Sequence, residues 1–324
     1  MRTQRRTNLL LGVVVLATAL VLLGQALGII PSQLFDVVVR AWPALLVLAG
    51  LSLLLRGRVP VSSAIALVLT VALVAGIAAY AFSTRSQERR DDYREPIAQA
   101  IDPGLGLLRV RVSTLATDVE LLRSVTPDFV AGEFTGSTES QFTVAYEDLG
   151  DGSATLTLRE APRDTLPLLE AVGRGALRLE LPSDVPLDVE LVAADGLVAL
   201  NMGETQVERL NLDLTHGDSV VTLPDYRPVS SVQNQSQGTL AVRDGAITLV
   251  VPATVAARLE LDRGGSGVEP EYDPAFYNFL FNRVLESRTI EQAETIVQYA
   301  IVAPRGRIRL EVAAPEPAAT EAAS

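Results

Sequence analysis

The residues best placed by type and spacing to do chemistry are Asp213, His216 and Asp218 in the run LDLTHGDS. Two carboxylates and an imidazole at that spacing could contact a divalent cation. His216 is the single histidine of the 324 residues, so a cage of several histidines is impossible and any Ser-His-Asp triad would have to be built on it. A turn explains the same residues. Thr-His-Gly-Asp is corner composition, and three candidates on one loop lack a clear fourth ligand. Neither a Gly-x-Ser-x-Gly elbow nor another nucleophile setting accompanies the histidine. Asp91 with Asp92, and Glu269 with Glu271, supply paired acids of the kind used in acid–base work, but charge runs in loops are normally solvated faces. The stretch from Gly264 to Asp273, GGSGVEPEYD, lacks the nonapeptide calcium pattern and reads as a turn. With no cysteine, thiol nucleophiles, disulfides and Cys-ligated metal centres are excluded. With no lysine, so are Schiff-base and P-loop lysine chemistry. The expectation is a non-enzyme with no catalytic residue, no cofactor and no resident metal.

The elements around these residues fall into two unlike parts. Residues 1–82 hold six Arg and one acid, Asp36, a charge of +5, which leaves −17 for the rest of a chain whose net charge is −12. That division fits a membrane part joined to an acidic water-soluble part. Nucleic acid is not an expected partner, because phosphate binding needs clustered cations. Residues 9–30 run for 22 positions without a charge, about 33 Å as a helix, enough to cross the hydrocarbon core. A second span is expected over 37–55, with Arg40 snorkelling to the interface and Trp42 at headgroup depth. A third is expected over 61–82. The apolar run is longer than a signal peptide's, so cleavage is not expected. Arg residues divide five against five between the two sides, so orientation rests on the first helix and on the Arg-bearing turn RGRVP. Those features give an inside N-terminus and an extracytoplasmic C-terminal domain in a multi-pass membrane protein. Gly24 and Gly28 flank Gln25 in a GxxxG spacing that suits close helix packing, within this chain or against a partner.

Residues 83–104 mix both charge signs, end in Asp-Pro-Gly, and read as a juxtamembrane linker or short helix. From 105 to 312 the hydrophobic period becomes two, as in LLRVRV, QFTVAY and ATLTL, the pattern of half-buried strands. Three segments repeat the form Gly, six residues, Pro: Gly175 to Pro182, Gly217 to Pro224, and Gly245 to Pro252. Glycine permits a tight turn, the alternating residues give one face to a core, and proline ends the ladder. After two of the prolines the likeness continues, PSDVPLDVEL at 182–191 aligning with PATVAARLEL at 252–261, so each unit holds two strands. Short strands that each bury one face against the next favour stacked rungs, a β-solenoid-like body, with a β-sandwich as the alternative. Phe276, Phe279, Leu280 and Val284 stand at helical spacing and predict an amphipathic helix or ordered loop capping one end. A last strand pair at 295–302 and 306–312 precedes a tail, 313–324, of disordered composition.

Residues 8–58, with Trp42 and Pro43 opening the second helix and Gly50 near its end, resemble the paired-helix membrane region of LiaI/LiaF-like bacterial proteins. The strand pair beginning at 107, followed by DFVAGEFTGSTES, is similar to the start of the toastrack-type β domain of LiaF relatives, and the Gly-x6-Pro units look like its rungs and those of adhesin-type domains. The resemblance implies a bacterial cell-envelope protein, an accessory regulator of a membrane sensor kinase in the envelope-stress response. The chain departs from that pattern in its third span and its longer β domain. Two functions follow as expectations: a signalling accessory acting through protein–protein contacts, or a membrane-anchored adhesive or structural surface module. Expected partners are the lipid bilayer and a membrane sensor protein or a second copy of the chain.

Overall fold

The computed structural model describes residues 89–163, 174–228, 236–264 and 268–313. The three expected spans, the packing candidates Gly24, Gln25 and Gly28, the interfacial Arg40 and Trp42, and the tail beyond Ala313 lie outside these residues. Contacts divide the chain into Met1–Arg85 and Ser86–Ser324, and the described residues all belong to the second unit.

Every regular element among the described residues is a strand. The first group is β1 (Tyr93–Ala100), β2 (Leu107–Arg123), β3 (Phe129–Gly136), β4 (Ser140–Asp148), β5 (Ser153–Pro162) and β6 (Gly175–Leu181). The middle group is β7 (Leu187–Asp195), β8 (Val198–Asn201), β9 (Val207–His216), β10 (Ser219–Thr222), β11 (Thr239–Asp244) and β12 (Ala246–Val251). The last is β13 (Ala256–Asp262), β14 (Tyr277–Leu280), β15 (Val284–Ser287), β16 (Ile296–Val302) and β17 (Arg307–Val312).

These strands build two ladders. The first runs β5, β2, β7, β9, β11, β16, β13 in parallel, with β4 added antiparallel at one end and β15 then β14 at the other. The second runs β6, β2, β8, β10, β12, β17 in parallel, extended antiparallel by β3 and β1. Each turn of chain gives one strand to each ladder, and β2 serves both, its first half in one and its second half in the other. The stacked-rung expectation therefore describes this all-β, curled body.

Alternation explains why the turns stack. Leu187, Val189, Leu191 and Ala193 of β7 point inward and are fully buried, while Asp188, Glu190 and Val192 face out. In register, Leu158, Val112, Leu191, Leu212, Leu240, Ile301 and Leu261 form one inward row across seven strands. On the opposite ladder Leu179, Leu121, Leu200, Val221, Leu249 and Leu310 form another. A single turn could not bury its row alone; the neighbouring rungs supply the contact. At about 25 cal/mol per Å² of apolar surface, each such leucine contributes roughly 1.5–3 kcal/mol.

Chain order and stacking order differ at both ends. β2 lies between the β5/β6 turn and the β7/β8 turn, so the first rung-forming strand is interior. β16 likewise lies between β11 and β13. Sequence periodicity identifies strands but not this insertion, which depends on which rungs compete best for the same edge.

Two expectations are corrected. The stretch 83–104, expected as a linker or helix, carries β1, which pairs with β3 along all its length because Ile97 enters the core. The segment 274–287, expected as a helix or ordered loop, is the β14–β15 hairpin. Phe281 and Asn282 take φ of 51° and 57°, the left-handed pair that opens a three-residue hairpin loop and is closed by the Arg283 amide on the Leu280 carbonyl at 3.0 Å. A helix cannot pass through two such residues.

Candidate functional site

Two of the sequence candidates, His216 and Asp218, lie where the chain bends from one ladder to the other. Ladder register brings Ala116, Asp195, His216 and Asp244 side by side on successive rungs. The next position holds Thr117, Gly196, Gly217, Gly245 and Gly306, and the one after it Asp118, Leu197, Asp218, Ala246 and Arg307. The glycine is required sterically. A Cβ on Gly217 would overlap the carbonyl oxygen of Gly196, one on Gly245 that of Gly217, and one on Gly306 that of Gly245. Gly217 and Gly245, which open two of the sequence repeats, are thus successive members of one column at φ of 128° and 143°. Gly196 and Gly306 belong to the same column and were not among the repeat residues; the Asp-Gly and Arg-Gly dipeptides were their only signal. The third repeat glycine, Gly175, opens β6 opposite Thr117. Pro182, Pro224 and Pro252 stand just beyond the second-ladder strands that these glycines begin.

The structure separates the three residues with cation-like spacing. Asp213 lies on the outer face of β9 and binds Arg243 on the next rung through two hydrogen bonds of 3.0 and 2.8 Å. Asp218 accepts the Ala246 amide at 2.7 Å and so caps the following rung. Asp118 does the same for Leu197 at 2.9 Å. His216 stands between Asp195 and Asp244 at the corner. Among the described residues no group of three His, Cys, Asp or Glu side chains is placed to hold a metal ion.

Charges on the outer faces pair across rungs in the same way. Arg111 meets Glu190, Arg178 meets Glu120, Arg258 meets Glu286, and Arg309 meets Glu271. Asp188 sits in register between Arg109 and Arg209; burial raises its carboxyl above the ordinary range, and those two guanidinium groups pull it back. Exposed pairs of this kind add little stability singly, but they fix register and leave the surface mixed in sign. On the second ladder a groove of about 430 Å³ is lined by Arg89, Asp118, Glu120, Glu133, Arg178 and Leu197. Leu197 and Val220, each about half exposed, continue from it as an apolar strip.

One carboxylate is buried among the described residues, and it has a structural task. Glu160, 3% exposed, accepts the Leu115 amide at 2.7 Å, the Thr117 hydroxyl at 2.8 Å and the Ser140 hydroxyl at 3.0 Å. It ties the bend of β2 to β4 and leaves no oxygen directed at a cleft.

Comparison with known proteins decides the nature of the membrane part: residues 9–54 match the LiaI-LiaF-like transmembrane region. This chain carries a LiaI-LiaF-like membrane region. The resemblance expected from residues 8–58 is thus confirmed over most of that stretch, and it marks the chain as membrane-associated. The LiaI-LiaF-like match ends before the strand domain begins. That domain is similar in fold to the crystal structure of a putative cell adhesion protein from Clostridium sporogenes ATCC 15579, with 12% identity, 68% of this chain and 100% of that chain covered, and a TM-score of 0.52. A putative adhesin from Parabacteroides merdae ATCC 43184 aligns over 69% of this chain and 99% of its own at 12% identity, but its TM-score of 0.21 does not equate the folds. No curated protein matches the chain significantly.

Proposed function

We propose that this is a non-enzymatic cell-envelope protein that acts by contact, an accessory regulator whose LiaI-LiaF-like helices engage a membrane sensor and whose stacked-rung domain lies outside the cytoplasm. The observation that carries this reading is the union, in one chain, of that membrane region with a β body whose outward charges, among the described residues, pair with each other across rungs and form no three-ligand metal group. Such a surface is suited to recognising another surface. Co-purification in detergent tests it. A sensor protein should be recovered with the full chain, and Gly24→Leu or Gly28→Leu should reduce its recovery several-fold if the GxxxG spacing is the contact. Equal recovery from all three forms removes that contact. Protease protection in spheroplasts tests sidedness: cleavage of the strand domain from outside is expected, and full protection reverses the orientation.

The adhesive or structural reading is supported by the similarity in fold to the putative cell adhesion protein of Clostridium sporogenes. It expects the full chain to bind isolated envelope material whether or not Gly24 and Gly28 are intact.

A further inference from the structure

The four terminal edges of the two ladders are not alike. At the end of the second ladder β17 is covered by residues 270–272, where the Glu271 amide donates to the Ile308 carbonyl at 2.9 Å and the Leu310 amide to the Glu271 carbonyl at 2.8 Å. At its other end β1 carries Pro96, which cannot donate to an added strand. The first ladder ends at β14, only four residues long and followed by a tight turn. These are the usual devices that keep an edge from pairing. Among the described residues the remaining edge, β4, has none of them. It is nine residues, SQFTVAYED, without proline, arginine or lysine, and among the described residues its ladder partner is β5 alone.

Its hydrogen-bonding direction can be read from the register. The Arg163 amide donates to the Glu139 carbonyl at 2.7 Å and the Leu149 amide to the Ser153 carbonyl at 3.0 Å, so odd-numbered residues face β5. Bonded and non-bonded pairs alternate in an antiparallel ladder. Phe142, Val144, Tyr146 and Asp148 therefore direct their amides and carbonyls off the edge. Pro162, which has no amide to give, stands opposite Ser140 at a non-bonded pair, as this parity requires. The side chains agree: Phe142 is buried against Phe134 in a stacked pair at 4.2 Å, but Val144 and Tyr146, in the same inward row, are left half-exposed.

We propose that β4 pairs antiparallel with β4 of a second copy, about a twofold axis at Val144, joining the two first ladders into one continuous sheet. That register puts Val144 opposite itself, Phe142 opposite Tyr146, Thr143 opposite Ala145 and Gln141 opposite Glu147. It forms about six backbone hydrogen bonds and extends the half-covered apolar row with an aromatic pair at each side. Charge selects the direction. β4 bears only acids, Glu147 and Asp148, both at its C-terminal end; antiparallel pairing sets the two Glu147 carboxylates about 20 Å apart, beyond the screening length of about 8–10 Å, whereas parallel pairing would place them side by side. The pairing stands on the edge itself and not on the signalling role.

The chain's lack of cysteine makes a direct test available in the full-length protein in detergent. Val144→Cys should oxidise to a covalent dimer, because bonded antiparallel pairs set their Cα atoms about 5.5 Å apart, within disulfide reach. The double variant Gln141→Cys with Glu147→Cys should also cross-link, and each of its single variants should not. Adding Val144→Pro, which deletes an outward amide and spares the β5 ladder, should lower the double variant's cross-linking at least tenfold. Thr143→Lys, on the exposed face where folding is not at stake, should lower it several-fold. Absence of cross-links from both Val144→Cys and the double variant overturns the proposal. So does equal cross-linking by the single variants, or recovery of the Val144→Cys variant bonded to a different protein.

Discussion

The two ends of the stack solve one problem by different means. At the β4 end the closing group is an acid side chain: Glu160, buried, gathers an amide and two hydroxyls from β2 and β4. At the β14 end it is neutral: Tyr277, 3% exposed, and Ser287, whose hydroxyl accepts the Ala257 amide at 2.9 Å, lie between β13, β14 and β15. Burial pushes the Tyr277 phenol up to about 12, a hydrogen bond with Ser287 drawing it slightly back. The difference teaches that an end of a rung stack can be closed by polar groups of different chemistry, and that the group used decides how the end responds to substitution.

The variant of largest expected effect removes the part common to both ends. Gly217→Ala forces a methyl into the Gly196 carbonyl at mid-stack and should destabilise by more than about 4 kcal/mol, seen as loss of the cooperative thermal transition in circular dichroism. If the transition survives, the corner column is not the spine of the fold. Next is the Glu160 end: Glu160→Leu should cost about 3 kcal/mol by stranding the Leu115 amide, and Glu160→Gln clearly less, compared by denaturant midpoint. Equal losses would mean that packing, not hydrogen bonding, is what Glu160 supplies.

At the neutral end the response is to alkali. An unfolded tyrosine ionises near pH 10 while folded Tyr277 keeps its proton to about 12, so between those values the unfolded chain alone releases it. Stability from this group is intact below pH 10 and falls above it by about 1.4 kcal/mol per unit, and Tyr277→Phe should flatten that slope in unfolding measured from pH 9 to 12. Tyr299 sharpens the contrast. Its hydroxyl is buried without a partner among the described residues, and burial raises its phenol strongly. Tyr299→Phe should stabilise by about 1 kcal/mol at neutral pH, measured by denaturant titration. The smallest effect belongs to the hairpin turn, where Phe281 is 94% exposed at positive φ; Phe281→Asn should raise stability by some tenths of a kcal/mol, read from the denaturant midpoint.

Much of this body was legible in the residues. The period of two and the Gly-x6-Pro segments mark rungs because a strand facing a shared core must alternate, and because a corner against a neighbour's carbonyl admits only hydrogen at Cα. Other features were not. Phe276, Phe279, Leu280 and Val284 satisfy a helical period, and only the left-handed pair Phe281 and Asn282 overrides it. Asp213, His216 and Asp218 are close in sequence, yet alternation and the bend send one to Arg243, one to a rung amide and one to the corner. The edge that β4 leaves unpaired among the described residues has no sequence mark, since it is defined by strands that are elsewhere. The membrane residues are readable as hydropathy and match a named region, whereas their helix packing lies outside the described structure.

The interior position of β2 and β16 has a mechanical consequence. A rung stack whose first and last turns sit at its tips can fray like a zipper, one layer at a time from either terminus. Here a pull transmitted through the chain before Tyr93 can peel β1 from β3, but it then meets β2 gripped by parallel neighbours on both sides, and the approach from the C-terminal side, once β17 has left β12, meets β16 held between β11 and β13. Past those outer strands, unravelling has to shear a strand from two parallel neighbours together, so the stack resists force in its interior more than at its edges.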